Sequence, residues 1–167
     1  IGVRELPFQA RGWYGAALAA ILLNPLLDGL DGALARRRGL TDAGGFLDIA
    51  LDFLFYALVP FGFILADPLN NALAGGWLLF AFIGTGSSFL AFAALAARHQ
   101  IANPGYAHKS LYYLGGLTEG TETILLFVLG CLFPAHFAWL AWLFGALCWV
   151  TTATRICSGY QTLKRVT

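Results

Sequence analysis

Long apolar stretches separated by short polar segments make up most of this chain. A helix needs about 20 mainly apolar residues to cross a bilayer, and each stretch is long enough to do so. The connecting segments contain Pro, Gly, Asn and Arg, which are typical of turns. The pattern predicts five spans at approximately residues 13–36, 44–66, 73–97, 111–132 and 136–160. The predicted fold is therefore an all-α integral membrane protein, a bundle of about five transmembrane helices.

Two of the predicted connections are short and carry no Lys or Arg. Asp67-Pro68-Leu69-Asn70-Asn71 is predicted to form a tight loop after the second span. Pro134 is predicted to lie in the turn before the last span. Basic residues concentrate instead in the turn at 36–38, in the 98–109 segment and in the C-terminal tail.

Composition excludes an ordinary soluble domain. Hydrophobic residues make up 59% of the 167 residues and charged residues only 11%, far from the balance of soluble proteins. The net charge of +1 indicates no particular partner; membrane lipid surrounds the chain, and no nucleic-acid partner is expected. The cysteines at 131, 148 and 157 are widely spaced in apolar sequence. They are interpreted as small buried hydrophobic residues rather than as disulfides or metal ligands.

Four carboxylates interrupt the apolar pattern around the first predicted turn, at Asp28, Asp31, Asp48 and Asp52. Charged side chains inside membrane spans are costly, and they usually mark functional sites. A spacing of three or four residues places each pair on one helix face. Because the intervening turn is short, the two helices are expected to be antiparallel neighbours whose carboxylates meet in one cleft.

Such a cluster requires cations. Carboxylate oxygens without His or Cys suit hard ions, and Mg²⁺ or Mn²⁺ is preferred over Ca²⁺ and Zn²⁺ here, as two ions. Magnesium commonly binds together with substrate phosphates, so a phosphate-containing substrate is implied. Gly32 and Ala35 allow a ligand to approach closely, Arg36 suits phosphate oxygens, and Gly44 places backbone N–H groups near anions.

This segment resembles the signature of the CDP-alcohol phosphatidyltransferases, D-x-x-D-G-x-x-A-R followed by G-x-x-x-D-x-x-x-D. Every fixed position is filled, by Asp28, Asp31, Gly32, Ala35, Arg36, Gly44, Asp48 and Asp52. The spacer from Arg37 to Ala43 holds seven residues, one fewer than the usual pattern. The loop is therefore expected to be one residue tighter.

The resemblance implies a reaction in which an alcohol attacks the lipid-side phosphate of a CDP-linked donor, usually CDP-diacylglycerol, and CMP leaves. Such a reaction belongs to phospholipid biosynthesis. The resemblance assigns metal coordination to Asp28, Asp31 and Asp48. It assigns a second metal and the role of general base to Asp52, and nucleotide binding to Gly32, Ala35, Arg36 and Gly44.

The family fold implied by the resemblance has six spans, one of them before the helix with the first aspartates. The chain contains no methionine, so Ile1 is not expected to be the translated start. Since only five spans are predicted, we expect residues 1–167 to form a single CDP-alcohol phosphatidyltransferase domain that lacks the first family helix. The distribution of basic residues predicts that the carboxylates face the cytoplasm, in a bacterial-type inner membrane.

Other polar residues have two interpretations each. Glu119 and Glu122 either line the acceptor pocket or make interhelical hydrogen bonds. Arg98 and Lys109, with His99 and His108, either bind a phosphate group, from an acceptor or from anionic lipid headgroups, or anchor the helices at the cytoplasmic surface. Arg155 is a weaker candidate for reaching the same cleft.

Three questions stay open from the sequence. The small residues from Gly84 to Ser88 are interpreted as a helix-packing patch, with a homodimer contact there left open. The competing functional class is a non-catalytic membrane protein or a cation-binding transporter component. The identity of the alcohol acceptor is not readable from the sequence.

Overall fold

The computed structural model describes Ile21 together with residues 42–99 and 120–165. Residues 42–99 and 120–165 form four α-helices and one 3₁₀ turn, with no strand among them: α1 (Asp42–Ala66), α2 (Pro68–Arg98), α3 (Gly120–Leu132), the 3₁₀ turn (Pro134–His136) and α4 (Phe137–Lys164). The predicted all-α class is confirmed for this part of the chain.

Three described segments are long and apolar enough to cross a membrane. They are Asp42–Ala66, Pro68–Arg98 and Pro134–Lys164. The helix Gly120–Leu132 is apolar but has 13 described residues, and the first part of its predicted span lies outside the described ranges. Of the predicted first span only Ile21 is described; it is helical and 1% exposed, within the hydrophobic core.

The connection between α1 and α2 is shorter than predicted. The expected loop from Asp67 to Asn71 is wrong, because Pro68 begins α2 and only Asp67 lies between the helices. The Asp67 carboxylate accepts hydrogen bonds from the Asn70 backbone N–H (3.3 Å) and side-chain amide (2.7 Å). An aspartate at the N-cap followed by proline at the first helical position is a favourable helix start, since proline lacks an N–H that would need a partner.

Asn71 closes the same turn from inside. Its side chain is 4% exposed, and its amide donates to the Phe63 carbonyl oxygen at 2.9 Å. The Asp67 backbone N–H donates to the same oxygen at 3.2 Å. The carbonyls of a helix's last turn lack intrahelical partners, so these bonds stabilise the end of α1.

Close contacts show how the helices are oriented. Phe53 of α1 lies against Gly86 of α2 and Ile64 against Gly75, so the residue numbers run in opposite directions and the two helices are antiparallel. On α4, Gly145 lies against Trp77 of α2 and Gly159 against Phe92. Helices α2 and α4 are therefore parallel.

Helix α3 runs parallel to α1. A methyl group at Gly120 would lie 3.1 Å from the Tyr56 hydroxyl, and one at Gly130 would lie 3.1 Å from Phe63 Cζ. The bundle thus has two ends. We call the end with Asp67 and the 3₁₀ turn the turn end, and the opposite end, where α1 and α3 begin, the carboxylate end.

Aromatic side chains fill the interior between the helices. Phe63 stacks on Phe137 with ring centroids 4.0 Å apart and an interplanar angle of 6°. The fully buried Phe127 of α3 meets Phe55 of α1 and Phe82 of α2 edge to face, at 6.2 Å each. These contacts join α1, α2, α3 and α4 into one core.

The patch from Gly84 to Ser88 lies within this packing. A methyl group at Gly84 would lie 3.2 Å from Thr152 Oγ1 and 3.3 Å from the Trp149 ring on α4. Its interpretation as a helix-packing patch is confirmed. Among the cysteines, Cys131 and Cys148 are buried as expected, whereas Cys157 is exposed, and all three are free thiols.

Candidate active site

The carboxylates of α1 lie on the face that packs into the bundle. Asp48, Asp52, Tyr56, Val59 and Phe63 fall within about 80° of the helix circumference at 3.6 residues per turn; we call them the inner stripe. Tyr56 and Val59 pack against the core, and Phe63 is 3% exposed within it. The two carboxylates therefore lie on the same side of α1 as these core-facing residues.

Asp48 and Asp52 differ in their surroundings. Asp52 is half-buried, whereas Asp48, one turn nearer the start of α1, is exposed. Their like charges repel each other at this spacing. The pair thus combines unfavourable repulsion with a low-dielectric setting, an arrangement that a cation between them would stabilise.

The start of α3 lies beside this stripe. Tyr56 is one turn from Asp52 on the same side of α1, and its hydroxyl approaches Gly120, where no side chain intervenes. Glu122 lies in the first turn of α3 and is exposed. The structure therefore brings Glu122 to the same end of the bundle as Asp52. The contact between Tyr56 and Gly120 shows that the start of α3 packs against α1 one turn beyond Asp52.

Arg98 is the last residue of α2 and is exposed. Because Gly86 lies opposite Phe53 in the antiparallel pair, Arg98 lies about 16 Å farther along the bundle axis than Asp52, at a rise of 1.5 Å per residue. Arg98 is thus at the carboxylate end, but beyond the depth of the carboxylates.

Arg155 lies deeper than Arg98. Its Nη1 atom is 3.5 Å from the Thr85 carbonyl oxygen, and its guanidinium lies 5.6 Å from the centroid of the Phe89 ring. Thr85 neighbours Gly86, so Arg155 is at the depth of Asp52 and Phe53. In the sequence, Arg155 was notable only as a single arginine in an apolar helix. The packing of α4 on α2 adds the position of its guanidinium along the bundle.

All described Lys and Arg residues lie in the half of the bundle that contains the carboxylates. They are Arg98, Arg155, Lys164 and Arg165. The turn end carries none within the described ranges. The charge asymmetry predicted from the sequence therefore coincides with the position of the carboxylates.

Gly44 lies in the first turn of α1 and is exposed. The first turn of a helix is where backbone N–H groups and the helix dipole favour anions. This position agrees with the nucleotide-binding role implied by the resemblance, which stays a prediction.

The remaining predicted site residues lie outside the described ranges: Asp28, Asp31, Gly32, Ala35, Arg36, Lys109 and Glu119. Within residues 42–99 and 120–165, no three His, Cys, Asp or Glu side chains come close enough to hold a metal ion. Helix α1 thus supplies two carboxylates of the predicted four, and the convergence of the two pairs stays a prediction.

Comparison with known proteins decides the family. A model of the CDP-alcohol phosphatidyltransferase family matches residues 4–156, which include both halves of the signature. The chain belongs to the CDP-alcohol phosphatidyltransferase family. The resemblance drawn from the eight signature residues is therefore confirmed.

A curated relative extends this result. The inner membrane protein YnjF of Escherichia coli strain K12 is 85% identical over 164 residues, which cover 98% of this chain and 80% of the relative. No solved structure matches the chain. Phosphatidyl transfer is the general reaction of the CDP-alcohol phosphatidyltransferase family, and the apolar helices together with this relative make the chain an integral membrane protein.

Proposed function

We propose that this protein transfers a phosphatidyl group from CDP-diacylglycerol, or a related CDP-alcohol, to an alcohol acceptor and releases CMP. The observation that carries the proposal is the position of Asp48 and Asp52 on the inner stripe of α1. Carboxylates without a functional role would be more stable on the water-exposed surface than on the side of α1 that packs into the bundle. Their position on this side of α1, with Asp52 half-buried, supports a site at the carboxylate end of the bundle.

The described donors fit the metal that the family reaction implies. Asp48 and Asp52 offer hard oxygen ligands one turn apart, which suits Mg²⁺ or Mn²⁺ better than a soft metal. We assign Asp28, Asp31, Asp48 and Asp52 as the ligands of two ions. When bound, such ions supply positive charge to phosphate oxygens.

Asp52 is the proposed general base. The acceptor hydroxyl gives its proton to this carboxylate, and the hydroxyl oxygen forms a bond to the lipid-side phosphorus. The bond between that phosphorus and the oxygen bridging to CMP breaks, and CMP leaves with the bonding electrons. The half-buried position of Asp52 supports this role, because proton transfer needs a carboxylate held within reach of the substrate rather than in open solvent.

Different residues are proposed for the two substrates. Gly32, Ala35, Arg36 and Gly44 are proposed to hold the CDP moiety. Glu119, Glu122, Arg98 and Lys109 are proposed for the acceptor. The location of Glu122 in the first turn of α3, beside the contact between Gly120 and Tyr56, supports this division.

The carboxylate end is proposed to face the cytoplasm of the inner membrane. The support is the placement of the described Lys and Arg residues in that half of the bundle, because cytoplasmic connections carry an excess of both. The donor would then enter from the surrounding lipid and the acceptor from water.

The test is CMP release by the full chain in liposomes containing CDP-diacylglycerol, across a panel of alcohol acceptors. We expect release that requires Mg²⁺ or Mn²⁺ and stops with chelator. Asp52→Asn should lower the rate roughly 10²- to 10⁴-fold, the usual contribution of general acid–base catalysis. The matched control is Asp67→Asn, which retains a good N-cap at the turn end and should leave the rate unchanged.

Two results would contradict the proposal. Absence of CMP release with every acceptor would reject the transferase reaction for this protein. Metal binding that depends on Asp48 and Asp52 without any CMP release would favour the cation-binding alternative.

A further inference from the structure

Side chains of α1 occupy the space beside two glycines of α2. A methyl group at Gly75 would lie 2.5 Å from Ile64 Cγ1 and 2.7 Å from Cδ1. A methyl group at Gly86 would overlap the Phe53 ring, with Cζ at 3.0 Å and Cδ1 at 3.2 Å. Both glycines are buried, so each large side chain of α1 fits where α2 has no side chain.

The two contacts have the same spacing on both helices. Gly75 and Gly86 are eleven residues apart, and so are Phe53 and Ile64. Eleven residues make about three helical turns, or about 16 Å. Both contacts therefore lie on one line along each helix, and together they fix the register and the rotation of α1 against α2.

This rotation determines where the carboxylates point. Phe53 follows Asp52 in the chain and lies about 100° around α1 from it. Side-chain ends lie about 5–6 Å from a helix axis, so a rotation of about 20° moves a carboxylate by about 2 Å. Functional groups must be held within about 0.5 Å of their working positions.

We propose that Gly75 and Gly86 are positioning residues that hold α1 at the rotation at which Asp48 and Asp52 bind the ion. The inference rests on the metal site of the proposed function. Neither glycine touches a substrate or an ion; each acts through the side chain that packs against it. The packing of α2 against α1 thus determines where the signature aspartates of α1 point.

Other glycines provide matched controls. Gly76 is exposed, and a methyl group there would have nothing within 4 Å. Gly145 is as closely packed as Gly86, but its neighbour is Trp77 of α2 and its own helix is α4. Gly76→Ala therefore tests the chemistry of the substitution, and Gly145→Ala tests a packing defect that does not involve α1.

The experiment measures Mn²⁺ binding to the full chain in detergent, from the electron paramagnetic resonance signal of the free ion. Gly75→Ala and Gly86→Ala should weaken Mn²⁺ binding roughly 10- to 100-fold, as loss of groups that orient metal ligands does. Gly76→Ala should bind as the wild type does. Gly145→Ala should lower the melting temperature by a similar amount to Gly86→Ala and leave Mn²⁺ affinity unchanged.

Paired substitutions keep the test informative if a single variant folds poorly. Phe53→Ala in the Gly86→Ala protein, and Ile64→Ala in the Gly75→Ala protein, remove the overlap and should restore part of the Mn²⁺ affinity that the glycine variants lose, up to the level of the single Phe53→Ala or Ile64→Ala variant. Phe53→Ala alone should weaken binding, because α1 then loses one of its two rotational stops.

The outcomes separate this inference from the function on which it rests. Wild-type Mn²⁺ affinity in both glycine variants, with binding abolished by Asp52→Asn, would overturn the positioning role and leave the metal site intact. Equal losses in Gly86→Ala and Gly145→Ala, with no rescue by Phe53→Ala, would also overturn it, since only general stability would then be involved. Absence of Mn²⁺ binding by the wild-type protein would overturn the inference together with the metal site.

Discussion

The two ends of the bundle differ in what the inner stripe of α1 carries. At the turn end, Phe63 and Phe137 stack face to face at 4.0 Å, and Asn71 is buried with its amide bonded to the backbone. At the carboxylate end, the inner stripe carries Asp48, which is exposed, and Asp52, which is half-buried. One end of the stripe is packed into the core, and the other end carries the charged side chains of the candidate site.

This difference indicates that the two ends of the bundle have different roles, one in stability and one in function. Interiors packed at crystal-like density transmit displacements rather than absorbing them. Packing at the turn end and along α2 can therefore orient side chains that lie several turns away. Substitutions that leave the rotation of α1 unchanged should affect different measurements at the two ends, stability at the turn end and turnover at the carboxylate end.

The largest effect is expected from removing the aromatic stack at the turn end. Phe137→Ala should lower the free energy of unfolding by about 3 kcal/mol, because the residue is 1% exposed and its ring fills space between α1 and α4. Reversible unfolding in mixed micelles would measure the loss. Phe46→Ala, at the carboxylate end, should change stability by less than about 0.5 kcal/mol. Similar losses in both variants would remove the contrast in packing.

The second-largest effect is expected from removing a charge at the carboxylate end. Asp48→Asn should lower CMP release by about a hundredfold or more, since even groups that only orient metal ligands contribute 10- to 100-fold, while the melting temperature stays close to that of the wild type. Asp42→Asn is the matched control, because Asp42 is exposed on the same helix about 120° around from Asp48. Equal activity loss in the two variants would show that charge near the start of α1, rather than the inner stripe, controls turnover.

A smaller effect is expected from the hydrogen bonds of the turn. Asn71→Ala should cost about 1 kcal/mol of stability, because the Phe63 carbonyl oxygen keeps the Asp67 N–H as a partner after the amide is lost. Asn70→Ala, at an exposed position, should cost less. Comparison of thermal unfolding for the two variants checks this order, and a larger loss in Asn70→Ala would contradict it.

The smallest effect concerns the acceptor. Glu122→Gln should raise the KM for the alcohol about fivefold, the equivalent of one hydrogen bond of about 1 kcal/mol, and should leave the KM for the CDP-linked donor unchanged. Initial rates at varied acceptor and donor concentrations separate the two constants. A rise in donor KM alone would place Glu122 on the nucleotide side.

The positions of the membrane helices were largely predictable. Continuous apolar stretches located α1, α2 and α4 within a few residues, because hydropathy over about 20 residues reports the bilayer directly. The spacing of Asp48 and Asp52 predicted a shared helix face, and the structure adds that this face is the inner stripe. Periodicity alone could not supply that point, since α1 is apolar on all sides.

The start of α2 was not predicted correctly, for a chemical reason. Asp67 followed by Pro68 is typical of turns and also of helix starts, because both use a side-chain acceptor and a residue without an N–H. The hydrogen bonds of Asn70 and Asn71 decide for the helix. Similarly, Gly86 lay within the predicted helix-packing patch, but neither its partner nor that of Gly75 was predictable, because both depend on the rotation of α1, which no local pattern records.

The single residue between α1 and α2 has a consequence for biogenesis. With only Asp67 as a connector, the two helices have no slack and must enter the bilayer together as one hairpin. An epitope tag or protease site inserted after Asp67 would separate the cap from Asn70 and pull Asn71 away from Phe63. Reporters of topology are therefore better fused at the C-terminal tail than inserted at this hairpin tip.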